Sequence, residues 1–378
     1  MNSKYLPTIM MTGTTGFLGQ YVLRDFLLRG RRVVAVLRPP LADALPRLTR
    51  MLEQIGIDLA PFVESGQFVP VEGSLPDRLP EPDWGPTEAV LHCAASLQLF
   101  SNGNGEPITT NLEGAAALIE WAQAHNIKEF FGVSTAYTCG WNRGVIAEDF
   151  HWPRPDFQTD YERSKWQAEI LMRDWAEQSG GKLTLFRPSF LVGDSETGYT
   201  CQFAGFYQLA RLIGVLKQHY SDPGNGKLTH IPLRIPGRPE SPQNIVPIDF
   251  VARIIDEVIH EPRFHGRIYH LTNPEPPTND MMKRFYEHYF GLYGGYFADF
   301  DEVVGHCTPA ESLLWEQFHL LTPRTVHNPL FDCANTREVM AARRIEFPTL
   351  DLDRLTKLLD YATACDWGRQ TKATPQNI

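Results

Sequence analysis

The stretch from Thr8 to Arg38 constrains what this chain can fold into more than any other. Apolar Ile9-Met10-Met11 runs into Thr12-Gly13-Thr14-Thr15-Gly16-Phe17-Leu18-Gly19, an amphipathic run reaches Gly30, and a second apolar run, Val33 to Leu37, follows. That order predicts strand, glycine turn, helix, strand. Glycines at 13, 16 and 19 allow a sharp turn, let a pyrophosphate approach bare backbone, and let the helix pack tightly on the sheet. The free N–H groups of the helix start, around Thr14, Thr15, Phe17 and Leu18, would face the anion. A glycine triplet alone is also what a ligand-free turn looks like; the element order is what argues for a dinucleotide.

The end of the second strand says which one. An acidic residue there would take the ribose hydroxyls, but Val33-Val34-Ala35-Val36-Leu37 runs instead into Arg38. A guanidinium suits a 2′-phosphate, so NADPH is expected over NADH, with Arg47 as a second phosphate ligand. Either arginine is equally compatible with an ordinary solvated surface charge.

With 378 residues and 43% apolar content the chain can build a real core. A formal charge of −10 argues against nucleic acid or an anionic membrane as main partner. The six cysteines show no Cys-x-x-Cys pair and no His in zinc spacing, so neither metal nor disulfide framework is expected. No signal core and no run of apolar residues long enough to span a bilayer is present, which predicts a soluble, cytoplasmic protein.

Strand and helix patterns alternate onward, as in a doubly wound parallel sheet. Leu41 to Ile55 reads as a helix, with Pro46 tolerable only in its first turn. Gln67 to Glu72 is a third strand, followed by Gly73-Ser74-Leu75. Ala89 to His92 is a fourth, running into Cys93-Ala94-Ala95, whose small side chains would let a cofactor lie against the strand ends. Ile108 to His125 is a helix carrying Asn111, and Phe130 to Ser134 is a fifth strand. Just beyond come Ser134-Thr135-Ala136-Tyr137 and Tyr161-Glu162-Arg163-Ser164-Lys165. Tyr and Lys four apart share a helix face. An ammonium beside a phenol lowers the phenol pKa and can also hold the nicotinamide ribose. A hydroxyl from Thr135 or Ser134 could bond the same substrate oxygen, completing a site for a carbonyl that receives hydride. On its own, Tyr-x-x-x-Lys is usually a surface pair; its position after a glycine turn and a Ser-Thr strand end is what makes it a candidate.

These motifs, with Arg187-Pro188-Ser189-Phe190-Leu191-Val192-Gly193-Asp194, resemble the extended short-chain dehydrogenase/reductases, and within them the thioester reductase and fatty acyl-CoA reductase branch, over roughly residues 8 to 275. The resemblance implies NADPH-dependent reduction of an acyl thioester, on coenzyme A or an acyl-carrier protein, to an aldehyde and sometimes the alcohol. It assigns Thr135, Tyr161 and Lys165 to catalysis, with Ser134 on the cofactor side, and Ser74, Leu75, Asn111, Pro188, Ser189, Phe190 and Leu191 to the cofactor. Ser74 departs from the Asp usual in that family after the third strand, which would bond adenine. The chain begins at its first strand and carries no Ser-bearing carrier segment, so its substrate is expected in trans.

The fold expected is α/β, a Rossmann-type doubly wound parallel sheet with a smaller, mainly helical C-terminal substrate domain. Residues 1–200 and 243–273 would form the cofactor part; 201–242 and 274–378 the substrate part. There, Cys201 to His219 reads as a helix, Ser221 to Gly226 as a turn, Leu228 to Pro242 as a Pro- and Arg-spaced loop, and Asp249 as a helix cap. Phe285, Tyr286, Tyr289, Leu313, Leu314, Trp315 and Phe318 could line an acyl tunnel, although such stripes are more often core. The His residues, His306 and His327 among them, have no metal spacing. Oligomeric state is not legible. Two rivals share the site: a ketone or aldehyde reductase that releases no thiol, and a sugar-nucleotide epimerase or dehydratase, which would favour an acidic residue in place of Arg38.

Overall fold

The computed structural model describes residues 6–151, 153–221, 228–299, 302–303, 307–318 and 328–371. Most of the Ser221–Gly226 turn, His306, His327 and the side chains of Trp315 and Phe318 lie outside that description. The chain runs through β1 (Leu6–Thr12), α1 (Phe17–Leu28), β2 (Arg31–Leu37), α2 (Leu41–Glu53), α3 (Ala60–Glu64), β3 (Phe68–Glu72) and β4 (Ala89–His92). A π-helical turn, Thr109–Glu113, leads into α4 (Gly114–Ala124), β5 (Glu129–Val133), a 3-10 turn (Ala136–Cys139), β6 (Val145–Ile146), α5 (Asp160–Ser179), β7 (Lys182–Pro188) and β8 (Phe190–Val192). Then come α6 (Phe206–Tyr220), β9 (Thr229–Pro236), β10 (Ile245–Pro247), α7 (Ile248–His260), β11 (Ile268–Leu271), α8 (Asn279–Phe290) and β12 (Leu292–Ala298). Last are α9 (Pro309–Phe318), β13 (Leu330–Phe331), α10 (Ala334–Arg343) and α11 (Leu352–Ala364).

Seven parallel strands form one sheet in the order β11-β7-β5-β4-β1-β2-β3. The order reverses between β1 and β4, so a crevice opens above their carboxyl ends, which is where such sheets bind ligands. Both faces are covered, which explains why β1 and β2 read as continuous apolar runs. Ile9, Met11, Val33, Ala35 and Leu37 pack with α1 and α7 on one face. Met10, Val34 and Val36 pack with α4 and α5 on the other. From α10, Val339 joins the first of these cores, whereas Leu355, Leu358 and Leu359 of α11 pack with α6 and α8 in a separate one.

Several local expectations are corrected. Pro46 sits at the sixth residue of α2, inside the helix. Ala42, whose carbonyl loses its partner there, is exposed, so water can replace the missing N–H. The helix expected from Cys201 starts only at Phe206, after Gly205 at φ +55°. The segment from Leu228 is not a loop: β9 pairs in parallel with β12, Leu233 against Gly295 and Ile235 against Phe297. The smaller part therefore carries a β ribbon among its helices. Proline is tolerated in β9 because each strand of a two-stranded ribbon is an edge. Asp249 does not cap α7; it accepts from the backbone N–H (2.9 Å) and hydroxyl (2.6 Å) of Ser195. Among the described residues no helix is long and apolar enough to cross a membrane, and no cluster of three His, Cys, Asp or Glu could hold a metal ion.

Candidate active site

The glycine turn is built by close approach. Gly13 has φ +79°, and a Cβ there would stand 2.4 Å from the Ala94 backbone nitrogen and 2.6 Å from the Cys93 carbonyl carbon. A Cβ on Gly19 would meet the Gly13 carbonyl oxygen at 2.0 Å. So the turn is pressed against the end of β4 on one side and against its own helix on the other. Gly16 is the N-cap of α1 and offers no side-chain cap, which leaves the N–H groups of the first turn directed into the crevice. Thr14 is fully buried, with a hydroxyl unpartnered among the described residues; Phe17 and Leu18 are buried in the core, so they can reach a ligand through backbone only.

Along the crevice, Thr12 Oγ1 bonds His92 Nδ1 at 2.9 Å and accepts from the Ala94 N–H at 3.3 Å, which locks the ends of β1 and β4 together. Burial, reinforced by the Lys165 charge, pushes the His92 pKa down to about 3, so the ring is neutral. Its role was not visible in the sequence. Burial also raises the Cys93 thiol to about 12, which makes it an inert wall.

Thr159 starts α5 by accepting from the Glu162 N–H at 3.1 Å, and the Glu162 carboxylate takes the Gln158 N–H at 3.0 Å, a reciprocal cap that fixes where Tyr161 falls. Lys165 is buried and donates from Nζ to the Val133 carbonyl at 2.7 Å, tying α5 to the end of β5. Burial lowers its pKa to about 8. Tyr161 differs from expectation. Its pKa lies above the ordinary value, raised by burial and by the charges of Glu162 and Cys93. The lysine proton points at a carbonyl, and desolvation of the phenolate outweighs any help from the ammonium. A phenol that stays protonated is the form a proton donor needs. Lys165 reaches the end of β5, β5 pairs with β4 through Gly132 and His92, and Cys93 and Ala94 just after β4 pack on Gly13, so glycine turn and Tyr/Lys helix meet at one locus.

Thr135 Oγ1 accepts the Tyr137 N–H at 3.3 Å and holds the Pro188 carbonyl only loosely, at 3.5 Å, so its proton can turn to a substrate oxygen. Ser134 and Ser189 are buried at neighbouring strand ends, and among the described residues each hydroxyl lacks a partner, as does that of Thr272. Asn111 is fully buried in the π-helical turn. Its amide bonds Ser96 backbone (2.8 and 3.1 Å) and the Ser164 hydroxyl (3.0 Å), so it clasps the loop after β4 to α5 rather than offering a group to the cofactor.

Arg38 and Arg47 are exposed, on the crevice side of β2 and in α2, with no acidic partner among the described residues. Ser74 pairs its backbone with Arg78 (2.6 and 2.7 Å), and the Leu75 side chain packs under Gly114. Ala94 and Ala95 flank the turn. After Pro188, Leu191 packs into the core and the Phe190 ring turns away to line an apolar cavity of about 220 Å³. Only their backbones remain for the cofactor. Phe190 also lies 4.9 Å from the Tyr137 ring, and the Tyr137 hydroxyl is 3.3 Å from Asn328 Oδ1 on the same cavity wall. The cavity thus abuts the turn that carries Thr135. Of the proposed tunnel residues, Tyr286 and Leu314 line it; Phe285 is core, and Tyr289 packs against that core.

A dinucleotide fits this cradle. Bare backbone where a Cβ would clash, open helix N–H groups, and the orphaned hydroxyls of Thr14, Ser134 and Ser189 are the complement that a pyrophosphate and a ribose-amide end require.

Comparison with known proteins gives a consistent picture. A family model for an NAD-binding domain, described as "Male sterility protein", matches residues 11–255. The L-2-aminoadipate reductase large subunit of Penicillium chrysogenum is 28% identical over 294 residues, 70% of this chain and 19% of that protein. Aldehyde reductase lnaA of Aspergillus flavus is 25% identical over 93% of this chain and 36% of its own length. The chain thus spans a minor part of both. Among solved structures, the terminal R domain of the myxalamid PKS-NRPS pathway superposes with TM-score 0.78 at 22% identity, covering 97% of this chain and 93% of that one. A Vibrio cholerae UDP-glucose 4-epimerase also matches, at 22% identity over 74% of this chain and 75% of its own.

Proposed function

The chain belongs to the NAD-binding male sterility protein family, oxidoreductases of the extended short-chain dehydrogenase/reductase type, and from that premise we propose that it reduces acyl thioesters with NADPH, releasing an aldehyde and a thiol. The observation that carries this is the meeting of three features: the Gly13 cradle, the Tyr161/Lys165 helix, and an apolar cavity that shares Phe190 with the strand end behind Thr135.

When bound, NADPH supplies hydride to the acyl carbon. The chain's own groups then handle charge. Tyr161 and Thr135 direct hydroxyl protons at the carbonyl oxygen, where negative charge develops, and Tyr161 gives up its proton to it, leaving a hemithioacetal; that hydroxyl then returns its proton to Tyr161 as the C=O bond re-forms and the C–S bond breaks, and the departing thiolate takes a proton from solvent. Lys165, about nine-tenths charged near pH 7 for a group with its pKa about 8, stabilises the phenolate left behind and orients the ribose. Arg38 and Arg47 are assigned to the 2′-phosphate. Residues 1–200 with 243–273 are assigned to the cofactor and 201–242 with 274–378 to the acyl group, which is delivered on coenzyme A or an acyl-carrier protein. The protein acts in the cytoplasm.

The names of the relatives support this reading: an aminoadipate reductase and a terminal R domain. A second reading, reduction of a free aldehyde or ketone, is favoured by the aldehyde reductase that matches nearly the whole chain. An epimerase is disfavoured by Arg38, which offers no acceptor for ribose hydroxyls. The test is NADPH oxidation against acyl-N-acetylcysteamine thioesters with a thiol indicator. Thiol released in step with NADPH loss supports the thioester reading; NADPH loss with aldehydes alone supports the second.

A further inference from the structure

The cavity behind Phe190 is apolar over most of its wall, with Phe206, Leu209, Ile213, Leu233 and Phe297 facing it. Two charged residues interrupt that wall. Lys283 and Glu287 stand one turn apart on α8, each side chain only 18% exposed, with Nζ 2.8 Å from Oε2. The other oxygen, Oε1, accepts the Gly295 N–H of β12 at 3.2 Å. The carboxylate therefore has both oxygens engaged and a fixed position. The ammonium has three protons and, among the described residues, this one acceptor. Nor is it a lysine on an open surface: its Cε lies 3.5 Å from where a Cβ on Gly295 would sit, and Ile235 Cδ1 lies 3.2 Å from the same point, so the β9–β12 ribbon flanks it.

An ammonium with spare donors on an apolar wall is stabilised by any acceptor that enters. The Lys283–Glu287 pair is neutral as a whole. A second carboxylate would be repelled by Glu287, whereas a neutral oxygen takes the free protons without that cost.

We propose that Lys283 is a specificity-determining residue that hydrogen-bonds a neutral oxygen, an amide carbonyl or hydroxyl, on the acyl chain. The cavity then selects oxygen-bearing acyl groups over plain hydrocarbon chains of equal length. This rests on the thioester reading above, and its test separates the two.

Non-reactive thioether analogues of N-acetylcysteamine, one carrying an octyl chain and one an acetamidopentyl chain of matched length, are titrated calorimetrically into the full chain with NADPH present. The expected result is about tenfold tighter binding of the amide chain. In the double variant Lys283→Met/Glu287→Gln, which keeps an acceptor for the Gly295 N–H, the amide preference disappears while the octyl chain binds at least as well. Equal affinities in the unaltered protein overturn the proposal, whether or not the variant folds, and so does an equal loss for both chains in the variant. In parallel, the matching thioesters are offered with NADPH. Absence of turnover with both counts against the thioester reading, and the binding comparison still decides the role of Lys283.

Discussion

The glycine cradle and the apolar cavity of this molecule are built on different principles. At the cofactor end, backbone touches backbone: Gly13 lies against Cys93 and Ala94, and Gly19 against Gly13. At the cavity, side chains surround a space of about 220 Å³ between α6, α8 and the β9–β12 ribbon. A site made by backbone proximity admits one residue type at its contact points and leaves a spaced pattern in the sequence. A site lined by side chains from separate segments leaves no pattern, because many apolar residues fill the same wall. The comparison teaches that a cradle of touching backbone fixes its residues, whereas a cavity wall of side chains can be built from many apolar sequences.

The sharpest way to break this contrast is at the junction of the two ends. Tyr161→Phe should lower kcat by about 10²–10⁴ while NADPH affinity, read by quenching of its fluorescence, stays nearly constant; retention of most turnover removes Tyr161 from its role. A paired glycine experiment tests the rigid and interchangeable ends directly. Gly13→Ala forces a Cβ to 2.4 Å from Ala94 N at a positive φ, and should destabilise by on the order of a few kcal/mol and abolish NADPH binding. Gly214→Ala in α6 meets only the Phe290 ring at 3.2 Å, and the helix-propensity gain of roughly 1 kcal/mol offsets that contact, leaving the urea midpoint almost unmoved. Similar losses from both would erase the distinction.

Arg38→Ala should raise the Michaelis constant for NADPH about 10- to 100-fold, and that for NADH little; equal changes refute the phosphate assignment. The smallest effect is in pH. The folded environment lowers the Lys165 pKa from 10.5 to about 8, so its ammonium is lost as pH rises through that value. The kcat/KM for NADPH should therefore fall on the alkaline side with a midpoint about 8, because this parameter reports the free enzyme. A profile flat to the ordinary lysine range would show that the charge is not required.

Much of the cofactor end was legible in the sequence. Glycine spacing, the Arg38 strand end and the Tyr-x-x-x-Lys pair are local signals, and the structure brings their elements together at the β1–β4 crevice. What was not legible depended on tertiary context. The direction of the Tyr161 shift depends on how deeply α5 is buried and on Lys165 being engaged by Val133. Asn111 reads as a cofactor ligand until Ser96 and Ser164 are seen to occupy its amide. Ribbon β9 carried an unread signal: Thr229, Ile231 and Leu233 are buried, and His230 and Pro232 between them are exposed. Its two prolines and Arg234 masked that alternation. Strand β12, with its glycines and tyrosines, had no such pattern, since only its pairing with β9 makes it a strand.

The most direct measurement of the central claim follows one hydrogen. Thioester is reduced with NADPH deuterated on the transferring face of the nicotinamide, and the released product is weighed by mass spectrometry. A nicotinamide held beside Tyr161, with its pyrophosphate on the Gly13 turn, predicts a deuteron bonded to the former carbonyl carbon, with thiol set free. Product without the label when either face is deuterated, or label retained in the cofactor while thiol is released, would contradict it.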